Sequence, residues 1–341
     1  MTAMEVSPHS VHGGPDARGA ARHDFSTNAN ACGPCPMVAQ AVRDVDASRY
    51  PDPRYTALRA RLSEFHGVDA ERIVMVASAS EFMQRISALA ARTGLRRVLV
   101  PRHGYGDYSR AARAWGLEIA VNESGEQEAS LQWACDPASP TGRRDDALMR
   151  WDQPPAPGGI RVLDCAYVPL MLDDVPADAG LRAGAWQLWT PNKALAMTGV
   201  RAAYAIAPEQ VLQEHLDALH AMSASWPVGA HGVAMLNCWV EADVQRWVQR
   251  SLETLRLWKA RQLALCERMG WDVLQGSLAN YFTARLPVDC DGPRLLVRLR
   301  EDDIQLRDCA SFGLPHCVRL GVLAPVSQAA LEHHWIHGGY A

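Results

Sequence analysis

No apolar run in the sequence approaches the ~18 residues of a membrane span, and its start lacks the charged-then-apolar plan of a secretory signal. A cytoplasmic protein with no membrane partner is therefore expected. There is no long run of basic residues and the formal net charge is −4, which argues against nucleic acid or an acidic membrane surface as partner. Internal repeats and low-complexity segments are absent, which excludes a solenoid or a repeat array. The nine cysteines are an odd number, scattered through a chain too long to need disulfide staples, and this fits reduced thiols. Metal ligation has little support. Of the late histidines His333, His334 and His337, two are adjacent and would point apart on a helix, as on a surface face.

What is present is an ordinary globular composition, 48% hydrophobic and 21% charged over 341 residues, enough for a full core and more than one unit. The first 24 residues are rich in Gly, Ala and His and show little periodicity, as in an arm. Helices are expected at about Met37 to Val45, at residues 55–66, at Glu81–Arg92 and at Tyr108–Trp115. Strand-like stretches fall at Ile73–Val76, Arg97–Val100, Leu131–Ala134, Arg161–Leu163, Trp186–Trp189 and Ala202–Ile206. Their alternation implies an α/β unit with a mostly parallel sheet flanked by helices. From about Pro208 long helices take over, the most extended spanning Val228–Met269, with Val233, Leu236, Val240, Val244 and Val248 on one face. Strands near Tyr281–Arg285 and Cys317–Gly321 and a last helix from Ser327 to about Trp335 complete a smaller α/β unit. The expected division is an arm at 1–30, a large domain at 31–210 and a small C-terminal domain at 211–341, joined by the N-terminal segment.

Chemistry-bearing residues cluster where the expected strands end: Ser78, Ala79 and Ser80 after the first, Tyr105 after the second, Ser139 after the third, then Asp164 and Tyr167, and finally Thr190, Asn192 and Lys193. In an open parallel sheet, ligands bind outside the carboxyl ends of the strands, so these positions can converge. Each has a bland reading when taken alone. A strand-end lysine is usually solvated, Asp164 could cap a helix, the tyrosines could be core aromatics, and Ser139-Pro140-Thr141-Gly142 is a turn signal. Taken together they are the parts that pyridoxal phosphate requires. Lys193 would form the Schiff base and Asp164 would keep the pyridine nitrogen protonated. Tyr167 and Ser139 could hydrogen-bond the ring oxygen, and Tyr105 could stack on its face. The phosphate would sit on the backbone N–H groups of Ala79 and Ser80 at a helix start, with Thr190, Asn192 and Arg201 completing the cradle. Cys32-Gly33-Pro34-Cys35 matches the redox Cys-x-x-Cys motif, but no strand precedes it and Asn28, Asn30 and Pro36 flank it as in a loop.

On these residues the chain resembles the fold-type-I pyridoxal-phosphate aminotransferases, in particular the histidinol-phosphate aminotransferase and threonine-phosphate decarboxylase group. The resemblance runs from His12-Gly13-Gly14 to about Gly321. It implies an aspartate aminotransferase-like fold and a homodimer with shared active sites, in which Tyr50 of Tyr50-Pro51-Asp52-Pro53 reaches the cofactor phosphate of the neighbouring subunit. Arg319, in Val318-Arg319-Leu320, would grip the carboxylate or phosphate end of the substrate, and Asn30 of the entry loop would also contact substrate. Three positions depart from the pattern: Ser139 replaces Asn, Cys165 replaces Glu, and Asn192 replaces Ser or Thr.

The implied activity is transamination between an amino acid or amine phosphate and a 2-oxo acid. The alternative is decarboxylation of phosphothreonine, to which His12-Gly13-Gly14, Asp24-Phe25-Ser26 and Arg307-Asp308-Cys309-Ala310-Ser311-Phe312-Gly313 look similar. The Asn-x-Asn loop and Ala279-Asn280-Tyr281-Phe282 look more like the aminotransferases. A non-catalytic protein on the same fold is a third reading, kept open by Ser139 and Asn192. Arg307 and the arm residues Arg18, Arg22 and His23 are further candidates to meet a substrate phosphate.

Overall fold

The computed structural model describes residues 12–122, 128–151, 154–173 and 179–338; the first eleven residues of the expected arm lie outside them. The first half of the chain runs β1 (His23–Asp24), α1 (Pro36–Asp44), α2 (Thr56–His66), β2 (Ile73–Val76), α3 (Ala79–Arg92), β3 (Arg97–Val100), α4 (Gly106–Ala114), β4 (Glu118–Val121), β5 (Leu131–Cys135) and β6 (Ile160–Asp164). Then come α5 (Ala179–Ala183), β7 (Trp186–Trp189), β8 (Ala203–Ile206), α6 (Gln213–Ala221), α7 (Ala230–Trp239) and α8 (Ala242–Arg268). The last part holds β9 (Asp272–Val273), β10 (Tyr281–Arg285), α9 (Gly292–Glu301), β11 (Ile304–Gln305), β12 (Arg307–Asp308), β13 (Cys317–Gly321) and α10 (Pro325–His337).

Seven strands form the main sheet in the order β2-β8-β7-β6-β5-β3-β4. Only β8 runs against its neighbours, pairing antiparallel with both β2 and β7. Side chains alternate between the two faces. Val74, Val76, Val98, Val162 and Leu188 pack on one side with Phe82 and Ile86 of α3 and Tyr108 of α4. Ile73, Met75, Leu163 and Ile206 pack on the other with Leu58 and Leu62 of α2, Leu236 of α7 and Val248 of α8. Burial of both faces explains why the inner strands read as continuous apolar runs. The short edge strand β4 was not expected from the sequence, because its pattern is half exposed and Glu118 reaches toward Arg97 at 3.8 Å.

A four-stranded sheet, β12-β13-β10-β9, stands apart from the first, and the N-terminal segment pairs β1 parallel with β11 in a separate two-stranded sheet. The long helix expected over Val228–Met269 is instead two helices. Val240 ends α7, and Glu241 takes an extended conformation with φ −72° and ψ 136° before α8 restarts. A continuous apolar stripe does not reveal this break, because Val233 and Val240 and then Val244 and Val248 pack on the same core across it. Among the described residues no helix is long and apolar enough to cross a membrane.

His66, at the end of α2, is wedged beneath the sheet. Its Nε2 lies 2.7 Å from the Tyr204 hydroxyl, which also accepts from Trp239 Nε1 at 3.2 Å. Burial, with a smaller contribution from Arg182, pushes the imidazole down to about 4. The folded state thus keeps His66 neutral, while the unfolded chain takes up a proton below the ordinary value of about 6.5. Stability is full above that value and is lost as the pH falls from it toward 4, by up to about 3 kcal/mol. Urea titrations between pH 7 and 4 should show this slope, and His66→Phe should flatten it by about one proton.

Candidate active site

The carboxyl ends of β2, β3, β5, β6 and β7 open onto a single cavity of about 260 Å³. Lys193 lines it from the loop that leaves β7, where Leu195 N–H donates to Pro191 O at 3.0 Å and Met197 N–H to Asn192 O at 2.8 Å. These bonds curl the backbone sharply around the lysine. Its Nζ lies 5.1 Å from the centre of the Tyr167 ring.

Asp164 ends β6 at 5% exposure, and two donors hold it. The Tyr108 hydroxyl donates to Oδ2 at 2.7 Å and Ala166 N–H to Oδ1 at 3.0 Å. Burial pushes its carboxyl up, while Lys193, Tyr108 and Ala166 oppose that effect. Tyr108 is fixed by stacking on Trp133, 4.4 Å away and inclined by 13°.

The start of α3 forms another wall. Ser78 caps the helix by accepting from Glu81 N–H at 3.1 Å, and the Ser80 hydroxyl donates to Asp107 at 2.6 Å. With both side chains occupied, the first-turn N–H groups of Ala79 and Ser80 have no intrahelical acceptor and form an anion seat. Thr190, Asn192 and Arg201 stand around the same cavity. Thr190 Oγ1 and Asn192 Oδ1 are buried without a partner, as expected of groups that await a ligand.

The small sheet supplies the remaining wall. Arg319 is buried; its Nη1 donates to Ser139 Oγ at 2.9 Å and its Nη2 to Ser26 O at 2.6 Å. Arg307 faces it directly across the β12–β13 ladder and lies 4.8 Å from the Phe312 ring centre. Burial first, then Arg319, lowers the pKa of Arg307. Two cations opposed in this way repel each other, so the pair favours an anion between them. His12 and Gly13 close the top of the cavity, with His12 5.6 Å from the Tyr105 ring. Gly13 is required there, because a Cβ would fall 2.1 Å from Ser26 O. Burial, reinforced by Asp107, pushes the Tyr105 hydroxyl well up.

Of the residues singled out in the sequence, the cavity gathers Ser78, Ala79, Ser80, Tyr105, Ser139, Asp164, Tyr167, Thr190, Asn192, Lys193, Arg201 and Arg319. Asn30 is not among them. It is buried, and its amide donates to Ala194 O at 3.0 Å and to Ser251 Oγ at 2.7 Å, which ties the lysine loop to α8. Asn28 lines the cavity in its place, with its Nδ2 3.5 Å from the Tyr167 hydroxyl and its Oδ1 unpartnered. Tyr50 is also absent from the cavity of its own chain; it is 77% exposed and stacks on Trp226 at 4.2 Å. Tyr108 and Thr198 were missed by sequence reasoning. Tyr108 reads as one more apolar position of α4, and Thr198 has no motif. Cys32 and Cys35 are free thiols whose pKa values burial raises, the opposite of what a redox pair needs.

The profile of the aminotransferase class I and II family matches residues 23–136 and 156–334. The chain belongs to that family. A histidinol-phosphate aminotransferase of Jannaschia is 27% identical over 88% of this chain and 87% of its own length. Among solved structures, the histidinol-phosphate aminotransferase of Sinorhizobium meliloti, determined in complex with pyridoxal-5'-phosphate, superposes with a TM-score of 0.78 at 18% identity, covering 90% of this chain and 88% of that one. The L-threonine-O-3-phosphate decarboxylase of Porphyromonas gingivalis gives 0.76 at 20% identity, over 93% and 99%. The family is thus that of an aminotransferase enzyme, and the fold is the fold-type-I one expected from the sequence.

Replacing Tyr108 by Phe removes a hydrogen bond to a buried acid and should cost about 1.5–3 kcal/mol. Chemical denaturation of Tyr108→Phe would measure this, and an unchanged midpoint would show that the hydroxyl does not hold Asp164.

Proposed function

We propose that this chain is a pyridoxal-phosphate-dependent aminotransferase of the histidinol-phosphate aminotransferase kind, moving an amino group between an amine carrying an anionic end and a 2-oxo acid. The observation that carries the reading is the convergence, in one cavity, of Lys193, the buried Asp164, the open start of α3 and the Arg307–Arg319 pair. The residues present fit the cofactor: a buried acid at the end of β6, an anion seat, and unpartnered buried oxygens on Thr190 and Asn192.

When bound, the cofactor supplies an aldehyde that takes up the amino group and a protonated ring that draws electrons away from the substrate's Cα. Asp164, buried and held by Tyr108 and Ala166, would keep a proton on the ring nitrogen. The N–H groups of Ala79 and Ser80, with Arg201, would take the phosphate. The Tyr167 hydroxyl, near Asn28 Nδ2, would steady the ring oxygen. Lys193 would accept the proton from the substrate's Cα and return it. Arg319, already oriented by Ser139 and Ser26, would align the anionic end of the substrate, with Arg307 beside it. We further propose a homodimer in which the exposed Tyr50 serves the neighbouring site, and a reduced cytoplasmic setting, supported by nine free cysteines.

Decarboxylation of phosphothreonine remains a second reading. It is favoured by the placement of His12, Gly13, Arg307 and Phe312, which belong to the segments similar to that branch, around the same cavity.

Purified protein mixed separately with glutamate, histidinol phosphate and phosphothreonine should decide between the two, with visible absorbance and released carbon dioxide both followed. Loss of the visible band with an amino donor and no gas is the expected result. Carbon dioxide released from phosphothreonine while the band persists would overturn it. Lys193→Ala should lose turnover by about a thousandfold or more and should lack the band of the lysine-linked cofactor. Arg319→Gln should lower kcat/KM for the anionic substrate by about 30- to 100-fold, with Arg307→Gln acting mainly through a higher KM. Equal kinetics for charged and uncharged substrates in the parent enzyme would count against the arginine pair.

A further inference from the structure

A second cavity backs onto the first. Ser139 and Cys135 line both, and the new one encloses about 510 Å³ beyond them. Arg143, Arg144 and Arg150 reach it from the turn after Gly142 and from the short helical segment Asp146–Arg150. Arg143 donates from Nε to Gln275 O at 2.6 Å, which leaves its other nitrogens at the rim. Arg150 donates from Nη2 to Asn122 O, but its Nε is buried with no acceptor. Arg144 is worse served. Its Nε and Nη2 are both buried without an acceptor, and the carboxylate it faces, Asp136 Oδ2, lies 3.6 Å away, beyond a normal hydrogen bond.

The acids on this wall answer the arginines only in part: Asp136 is ion-paired with Arg144 across 3.6 Å but makes no hydrogen bond to it. Asp145 accepts from Cys135 N–H and Ala147 N–H, each at 2.9 Å, and burial pushes it up to about 6. Asp146 is exposed, and Asp136 Oδ1 has no donor of its own. Guanidinium forks with N–H groups that are out of water and lack a hydrogen-bond acceptor suit planar or tetrahedral oxyanions, which can accept two bonds at once. None of these three arginines lines the cavity of Lys193.

We propose that this cavity is a second oxyanion site, holding a phosphate group between Arg144 and Arg150 with Arg143 at its rim. Free phosphate and the phosphate end of a small metabolite share this chemistry. The site stands whether or not the chemistry at Lys193 is transamination.

The test uses the full-length, cofactor-loaded protein, with inorganic phosphate and glycerol 3-phosphate titrated separately while Tm and calorimetric binding are followed. Because Arg319 could also hold phosphate, Arg319→Gln serves as the control. Either ligand should raise Tm in the parent and in Arg319→Gln, and the rise should vanish in Arg144→Gln/Arg150→Gln, whose turnover at saturating substrate should stay within about twofold of the parent. Affinity at least about tenfold tighter for the monoester assigns the site to a metabolite, and equal or weaker affinity assigns it to free phosphate. A Tm rise that survives in the double variant, that disappears in Arg319→Gln alone, or that is absent from the parent with both ligands overturns the proposal. Should the double variant fail to fold, the exposed Arg143→Gln should weaken binding by about threefold or more, and unchanged affinity would also overturn it.

Discussion

Asp164 sits at the end of β6 with only 5% of its surface exposed, where an ionised carboxyl is costly unless donors and a cation surround it. The neighbouring structure meets that requirement. Trp133 on β5 stacks beneath Tyr108 so that its hydroxyl reaches Oδ2, the turn after β6 brings Ala166 N–H to Oδ1, and Lys193 supplies the opposing charge from the next loop. Strand order matters here, because β5, β6 and β7 are adjacent and parallel. Their carboxyl ends therefore deliver Ser139, Asp164 and Lys193 to one place.

The second constraint comes from the small sheet. Arg307 and Arg319 are register partners, so the ladder places two guanidinium groups together on one face. Phe312 lies under both, with its ring centre 4.8 Å and 6.0 Å from the two guanidinium carbons. Arg319 bonds to Ser139 in the loop after β5 of the main sheet and to Ser26 of the N-terminal segment. The three parts of the chain thus meet through one side chain. The departure of Ser139 from the family's Asn takes on a role here, since its hydroxyl accepts from this arginine.

Much was legible in the sequence because it rests on local rules. Short apolar runs between helical periods marked β2, β3, β7 and β10 at their observed ends, and the polar residues after them marked the cavity wall. Other features depend on packing. The spacing of Asn28 and Asn30 in the entry loop cannot tell which faces the ligand. Asn30 turns inward because Ala194 O and Ser251 Oγ, remote in sequence, accept its amide. Tyr108 carries no motif, and its value comes from one hydrogen bond across the fold. The break at Glu241 is likewise hidden, because the apolar stripe continues on both sides of it.

The sequence by itself determined the α/β class, the set of strand ends and the residue types that a lysine-bound cofactor needs, since periodicity and turn chemistry act within a few residues. Only the tertiary structure decided which polar groups face the cavity, which ones are occupied in holding it, and that the half-buried Arg144 and Arg150 keep buried nitrogens without a hydrogen-bond acceptor. Hydrogen-bond satisfaction is a property of neighbours in space, and strand order and loop closure set those neighbours.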